Sequence, residues 1–310
     1  MHKRLVNHCT IDLSIIPDGP ILIKSGREGA DPTNPDMEFV RTFHRDGWSI
    51  YLPGSSLKGA IRAHAERIVR TVGGDNNTKK LWASDPMKGD YLEKNLESHK
   101  IYQQSSFTDQ IFGNTSIASR IRIEDAHPVN LTELKLEERN GVAIDRVFGS
   151  VAVGPFNYQV CTAGKFSTKI HLKNFTLAQL GLIGLVLRDL NDGWFGLGFA
   201  KSRGLGTVRV EYNQAVVQYP GCQLETGKIR QLGNSGEWNS SDLLGAGEFL
   251  TGDEAKKYGF PKPDKQDSEG LAESMELGFG VQLKWGNNTN SGVKDLFIRA
   301  VEVWGEVLKA

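Results

Sequence analysis

Two stretches of this 310-residue chain combine glycine, hydroxyl and basic side chains in a pattern that suits a phosphate. The first is Tyr51-Leu-Pro-Gly-Ser-Ser-Leu-Lys-Gly-Ala-Ile-Arg62. A strand ending at Pro53-Gly54 opens a helix there, and Ser55 or Ser56 is placed to cap it. The unpaired N–H groups and partial positive charge of a helix N-terminus attract phosphate. Lys58 and Arg62, one turn apart, add formal charge on the same side. An ordinary capped helix with solvated basic residues has the same pattern. The second stretch is Gly196-Leu-Gly-Phe-Ala-Lys-Ser-Arg-Gly-Leu-Gly-Thr-Val208. Its glycines, Gly204 and Gly206 among them, let backbone approach a phosphodiester while Lys201, Ser202 and Arg203 clamp it. A plain connector is the competing account. A dinucleotide fingerprint is excluded, because these glycines follow a helix and lead into a strand. No Walker A spacing is present.

The elements that must carry these loops can be read from periodicity. Cys9, Ile11, Leu13 and Ile15 alternate with polar residues as a half-buried strand does. Residues 48–52 read as a strand, and Leu57, Ile61, Ala65 and Ile68 form the apolar stripe of a helix over 57–70. Residues 71–100 are polar and patternless, an insertion, and 109–113 reads as a tight turn before a strand over 119–126. A long hairpin over 141–168 precedes a strand at 169–172, an apolar helix at 176–190 and an alternating strand at 207–212. The order is β, α, β, β, α, β, which predicts an α+β, ferredoxin-like fold with both helices on one sheet face. Residues 213–310 read as a C-terminal extension packed on a 1–212 core, with 252–270 as an exposed, charged loop.

Composition sets limits on partners. The formal net charge is zero, so any RNA-binding surface must be local. Cys9, Cys161 and Cys222 are widely separated and lack a second ligand pair, so no structural zinc is expected. No apolar run approaches a membrane span and the N-terminus has no signal-peptide core, which predicts a cytoplasmic protein without membrane contact.

Pro53-Gly-Ser-Ser-Leu-Lys-Gly-Ala-Ile-Arg62 and the later Gly-Phe-Ala-Lys-Ser-Arg-Gly-Leu-Gly-Thr-Val208 resemble the two signatures of the RAMP superfamily. Asp109-Gln-Ile-Phe-Gly113 resembles its "FG" turn, and Gly141-Val-Ala-Ile-Asp-Arg146 its "IDR" segment, which opens a hairpin called the thumb. Within the superfamily the chain is most similar to the backbone subunits of type III CRISPR effectors. That resemblance implies a modified RNA-recognition fold that stacks along a guide RNA with other effector subunits and meets a complementary target RNA. It implies RNA contacts at Ser55, Ser56, Lys58, Arg62, Arg146, Phe148, Lys201, Ser202, Arg203, Gly204 and Gly206. The thumb would wedge between bases, with Phe148 or Phe156 as the apolar surface unless either is core.

The resemblance also implies an aspartate for metal-dependent target cleavage, on a loop upstream of Pro53. Aligning Phe39-Val-Arg41 on the family's apolar-apolar-basic strand selects Asp36, and another register selects Asp31. Here Met37-Glu38 follow Asp36, where the family has a small residue and proline. A lone carboxylate can bind a divalent cation, Mg2+ in this reading, through water, and no organic cofactor is needed. Two alternatives stay open. One is a purely architectural RNA-binding subunit, and the other a stand-alone guide-RNA-processing endoribonuclease, for which His44 is the candidate.

Overall fold

The computed structural model describes residues 4–26, 35–45, 47–76, 81–87, 91–92, 96–286 and 289–309. Strand β1 (His8–Pro17) buries Cys9, Ile11, Leu13 and Ile15, while Thr10 and Asp12 turn the other way. A ribbon of β2 (Arg41–His44) and β3 (Gly47–Ile50) leads into α1 (Gly54–Val72). Two short helices, α2 (Ser98–Gln104) and α3 (Phe107–Phe112), precede β4 (Ile121–Ile123) and β5 (His127–Pro128). The thumb pairs β6 (Lys135–Ile144) with β7 (Val151–Ala163) and is followed by β8 (Phe166–Lys173), α4 (Leu177–Asn191) and β9 (Val208–Tyr219).

In the main antiparallel sheet β9, β1, β8 and β4 lie side by side in that order. Helix α1 links β1 to β4 across β8, and α4 links β8 to β9 across β1. These two split crossovers make the fold ferredoxin-like. The helices cover the face that carries Ile11, Leu13, Ile170 and Val208. The opposite face carries Thr10, Asp12, Lys169, His171 and Lys173. Cys9, Cys161 and Cys222 are all buried and unpaired, and burial pushes the thiols of Cys161 and Cys222 up to about 11 and about 12, so they act as packing groups.

Several expected boundaries move. The thumb begins at Lys135 and ends at Ala163, because Phe166–Lys173 is needed as the strand between β1 and β4. The supposed turn at 109–113 is the helix α3, capped by Ser106 Oγ, which accepts the Asp109 amide at 3.1 Å. Within the 71–100 insertion, Leu81, Trp82 and Ala83 are core residues. The boundary at 212 falls inside β9, which continues to Tyr219.

Beyond β9, a small sheet of β10 (Cys222–Glu225), β11 (Lys228–Gln231) and β12 (Glu237–Asn239) leads to β13 (Asp242–Leu244). Residues 252–270 are no simple exposed loop. They contain α5 (Gly252–Tyr258), closed by a Thr251–Glu254 capping box, and β14 (Lys265–Asp267), which pairs with β13. Ala255 and Phe260 bury themselves against Tyr102. Strands β15 (Leu271–Ser274) and β16 (Val281–Trp285) then extend the main sheet beside β9, and α6 (Val293–Lys309) packs on α4. Helix α4 is therefore buried nearly all round, which explains its unbroken apolar sequence. Gly181 lets α6 approach, since a Cβ there would stand 2.4 Å from the Ala300 carbonyl oxygen.

Trp285 joins the C-terminal strands to this core: it is fully buried and its Nε1 donates to Asp295 Oδ2 at 2.9 Å. Trp285→Ala should cost about 3–5 kcal/mol in urea unfolding; a loss below about 1 kcal/mol would mark β16 as peripheral. Asp264 supplies a pH dependence. Its buried carboxylate accepts the Leu177 and Gly247 amides, both at 3.0 Å, yet burial raises its pKa to about 7. Because the folded state holds this proton more tightly than the unfolded chain, stability from it falls as pH rises from about 4 through about 7. Unfolding of wild type and Asp264→Asn across that range should show the wild type losing ground as pH rises; parallel curves would refute the assignment.

Candidate nucleic-acid interface

The site is organised by a short apolar run, Pro20-Ile-Leu-Ile-Lys24, whose backbone is bonded in several directions. The Pro20 carbonyl accepts Gly206 N–H at 2.8 Å and the Leu22 carbonyl accepts Phe199 N–H at 2.7 Å. These two bonds hold both ends of the Gly-rich loop. Ile21 exchanges hydrogen bonds of 2.9 and 2.8 Å with Cys161 at the base of the thumb. The Ile23 carbonyl accepts Val40 N–H at 2.9 Å, and Ser25 N–H donates to the Glu38 carbonyl at 3.1 Å. Loop, thumb and the segment after Asp36 are thus laced to one strand-like run, whose Ile21, Leu22 and Ile23 are buried.

The Gly-rich loop owes its shape to close approach within the chain. A Cβ on Gly198 (φ +80°) would lie 2.2 Å from the Leu22 carbonyl oxygen, and one on Gly206 (φ +93°) 2.3 Å from that of Leu197. Gly204 (φ +83°) faces open space. Lys201, Ser202, Arg203 and Gly204 form the exposed tip. Arg203 and Lys24 each lie 5.1 Å from the Phe199 ring centre. Lys24 is the basic residue that the sequence reading missed. Its signal was the short apolar run ending in lysine after a proline.

Asp36 is exposed, and its Oδ2 accepts the Asn157 amide of the thumb at 2.8 Å. Met37 N–H donates to the Asn157 carbonyl at 3.1 Å, and Gln159 N–H to the Met37 carbonyl at 3.0 Å. The carboxylate is therefore fixed beside the middle of the thumb, where Asn157 faces Asn140 across the hairpin, with Oδ1 lacking a protein donor among the described residues. Asp31 lies outside the described residues. At the thumb's far end, Asp145 Oδ1 accepts the Val147 and Phe148 amides at 2.7 and 2.9 Å, which also holds its carboxyl below the usual range. This Asx turn presents Phe148, 84% exposed, beside the exposed Arg146, Val147, Ile144 and Val151. Phe156 is the inward one of the two candidates, half-buried over Gly141.

At the helix signature the placement differs from expectation. Helix α1 begins at Gly54 with Pro53 as its cap residue, so Ser55 and Ser56 sit in its exposed first turn and cap nothing. Asp125 Oδ1 takes the Gly54 amide at 2.7 Å, so a carboxylate already stands at the end where a phosphate was expected. Gly54 is required because a Cβ would lie 2.2 Å from the Ile123 carbonyl oxygen. Arg62 turns inward: Nε meets Glu66 at 2.8 Å, Nη1 the Gly113 carbonyl at 2.9 Å and Nη2 Asp109 at 2.7 Å. Asp109 is almost fully buried and also accepts from Ser84 at 3.1 Å and Tyr91 at 2.6 Å. A buried carboxylate needs a cation, and Arg62 supplies it. Lys58 Nζ donates to Ser119 Oγ at 2.8 Å, and burial, then the charge of Arg62, lowers its pKa. His44 stacks on His127, ring centres 3.9 Å apart and 11° from parallel, so it anchors the β2–β3 ribbon.

No cluster of three or more His, Cys, Asp or Glu side chains that could hold a metal occurs among the described residues. No helix among them is long and apolar enough to cross a membrane. The sequence matches the family profile of the RAMP superfamily over residues 17–209, a stretch that contains every group just described. A search of curated proteins finds no match.

Arg62→Ala should cost about 2–3 kcal/mol of stability, below the range for fully buried pairs because Arg62 is one-third exposed. Asp109→Asn in the same background should recover part of it by removing the stranded charge. Equal stability of wild type and Arg62→Ala in urea would show that the cluster is incidental.

Proposed function

Because the chain belongs to the RAMP superfamily, we propose that it is a guide-RNA-binding backbone subunit of a type III CRISPR effector complex, acting in antiviral defence and cutting bound target RNA. Membership makes it a CRISPR-associated RNA-binding protein. The finer reading rests above all on one observation: the exposed Asp36 carboxylate is bonded to the thumb backbone at Asn157. A thumb that enters the guide–target duplex would carry the nucleotide it splays to this carboxylate.

Guide RNA backbone would lie along Lys24, Lys201 and Arg203, with Ser202 and Gly204 at closest approach. The exposed apolar tip around Phe148 suits insertion between bases. Cleavage would proceed by attack of a ribose 2′-oxygen on the adjacent phosphorus, breaking the bond to the 5′-oxygen. That reaction depends on in-line geometry, which a splayed nucleotide supplies. In this reading Asp36, whose Oδ1 has no protein donor among the described residues, would hold a divalent cation, Mg2+ by preference, through water and without a protein cage. Bound there, the ion would offset charge on the departing oxygen.

The hydrogen bond from Asn157 equally suits an Asp36 that only props the thumb, and this favours the architectural reading as the alternative. Asp36→Asn separates the two, since an amide oxygen keeps the acceptor and loses the charge. In the assembled complex, Asp36→Asn should reduce Mg2+-dependent target cleavage at least about 100-fold while assembly persists. Unchanged cutting would sink the nuclease reading, and Asp31→Ala tests the other register. For a guide-processing enzyme, the purified chain would cut repeat RNA in chelator; we expect no cut.

Guide binding has a second measure. Lys24→Ala combined with Arg203→Ala should weaken it and lower the salt slope by about 1.4, at about 0.7 per phosphate contact on a single strand. An unmoved slope would remove both residues from the backbone clamp.

A further inference from the structure

The β2–β3 ribbon carries the least explained surface of the molecule. Phe43 and Trp48 lie directly opposite each other, with ring centres 6.3 Å apart and planes at 77°. They are 68% and 72% exposed, although rings of this size normally bury most of their surface. The ribbon's other side is firmly anchored. His44 stacks on His127, and Tyr51 lies 5.8 Å from the same ring at 14° from parallel. Phe43 and Trp48 are thus presented by a supported ribbon.

Side chains alternate across a strand, so Arg41 shares the face of Phe43, opposite His44. Arg41 Nη2 donates to Gln159 Oε1 of the thumb at 3.2 Å. The amide of that same Gln159 donates to the carbonyl of Met37, the neighbour of Asp36. The strand that carries Phe43 is therefore tied through Arg41 to the same stretch of the thumb that bonds Met37 and Asp36. From this geometry we propose that Phe43 and Trp48 form a stacking platform for an unstacked nucleobase of the RNA strand that passes Asp36.

The occupant follows from size and charge. Two rings with a fringe of arginine, Arg41 and Arg45, fall far short of the roughly 800 Å² per partner that a specific protein interface needs. They match one or two bases, whose faces stack on aromatic rings while arginines meet the phosphates. Cross-strand aromatic pairs at an angle offer both a ring face and a ring edge to a planar guest. The platform rests on the RNA-binding reading above, and it adds a base contact that carries no phosphate charge.

The test uses the full chain and single-stranded oligouridine. Phe43→Ala with Trp48→Ala should weaken binding about tenfold or more and leave the salt slope unchanged. Trp48→Phe should keep most of the affinity and abolish the RNA-induced quenching of tryptophan fluorescence. Trp194→Phe, which removes the other highly exposed indole, should keep the quenching. Unaltered affinity in the double variant, or a slope that falls with it, overturns the platform while wild-type binding preserves the RNA reading. A wild type that fails to bind oligouridine at all removes that reading and the platform together. A wild type that sediments as a dimer without RNA, dissociated by the double variant, overturns the proposal in favour of contact between copies.

Discussion

A buried backbone must have partners for its N–H and C=O groups, and the run from Pro20 to Ser25 meets that demand outside the main sheet. Its side chains Ile21, Leu22 and Ile23 are drawn into the core, so water cannot serve the backbone between them. The Gly-rich loop, the thumb base and the strand after Asp36 each supply part of what is missing. Three pieces remote in sequence are thereby held in one frame. The glycines at 198 and 206 follow from this frame, since the loop can close on Leu22 and Leu197 only without a Cβ.

Charge is distributed by the same logic of burial. A chain with no net charge can still present a basic strip if its acids are spent elsewhere. Asp109 and Glu66 are buried and draw Arg62 and Arg70 inward. Asp125 is used at the start of α1, and Asp145 inside the thumb's turn. Lys24, Lys201 and Arg203 remain at the exposed loop, two of them over Phe199, with no carboxylate within salt-bridge distance among the described residues.

Much of the core was legible in the sequence because its signals are local. Alternation in β1 and the apolar stripe of α1 mark their elements, and Thr176 with Gln179 caps α4. The order of those elements then leaves few topologies. What escaped depends on distant partners. A strand within 275–285 can be read from the sequence, but its place beside β9 cannot, because that edge exists only where β9 overruns Tyr212. The inward turn of Arg62 is invisible until Asp109 is known to be buried. Likewise, nothing near Asp36 announces Asn157, 121 positions away. The exposure of Phe43 and Trp48 also emerges only from the tertiary fold, which leaves one side of their ribbon uncovered.

One consequence lies in the way Asp36 is mounted. Its carboxylate hangs on the backbone of β7, so the reach from thumb tip to carboxyl is set by the pleat of a two-stranded ribbon and not by a side chain's choice of rotamer. Such a mount behaves as a caliper. Its two jaws are the apolar tip and the acid, and a bend of the ribbon moves both together. In a row of identical caliper-bearing copies, the interval between marks on a bound strand would be the repeat of the row, whatever the letters written on it.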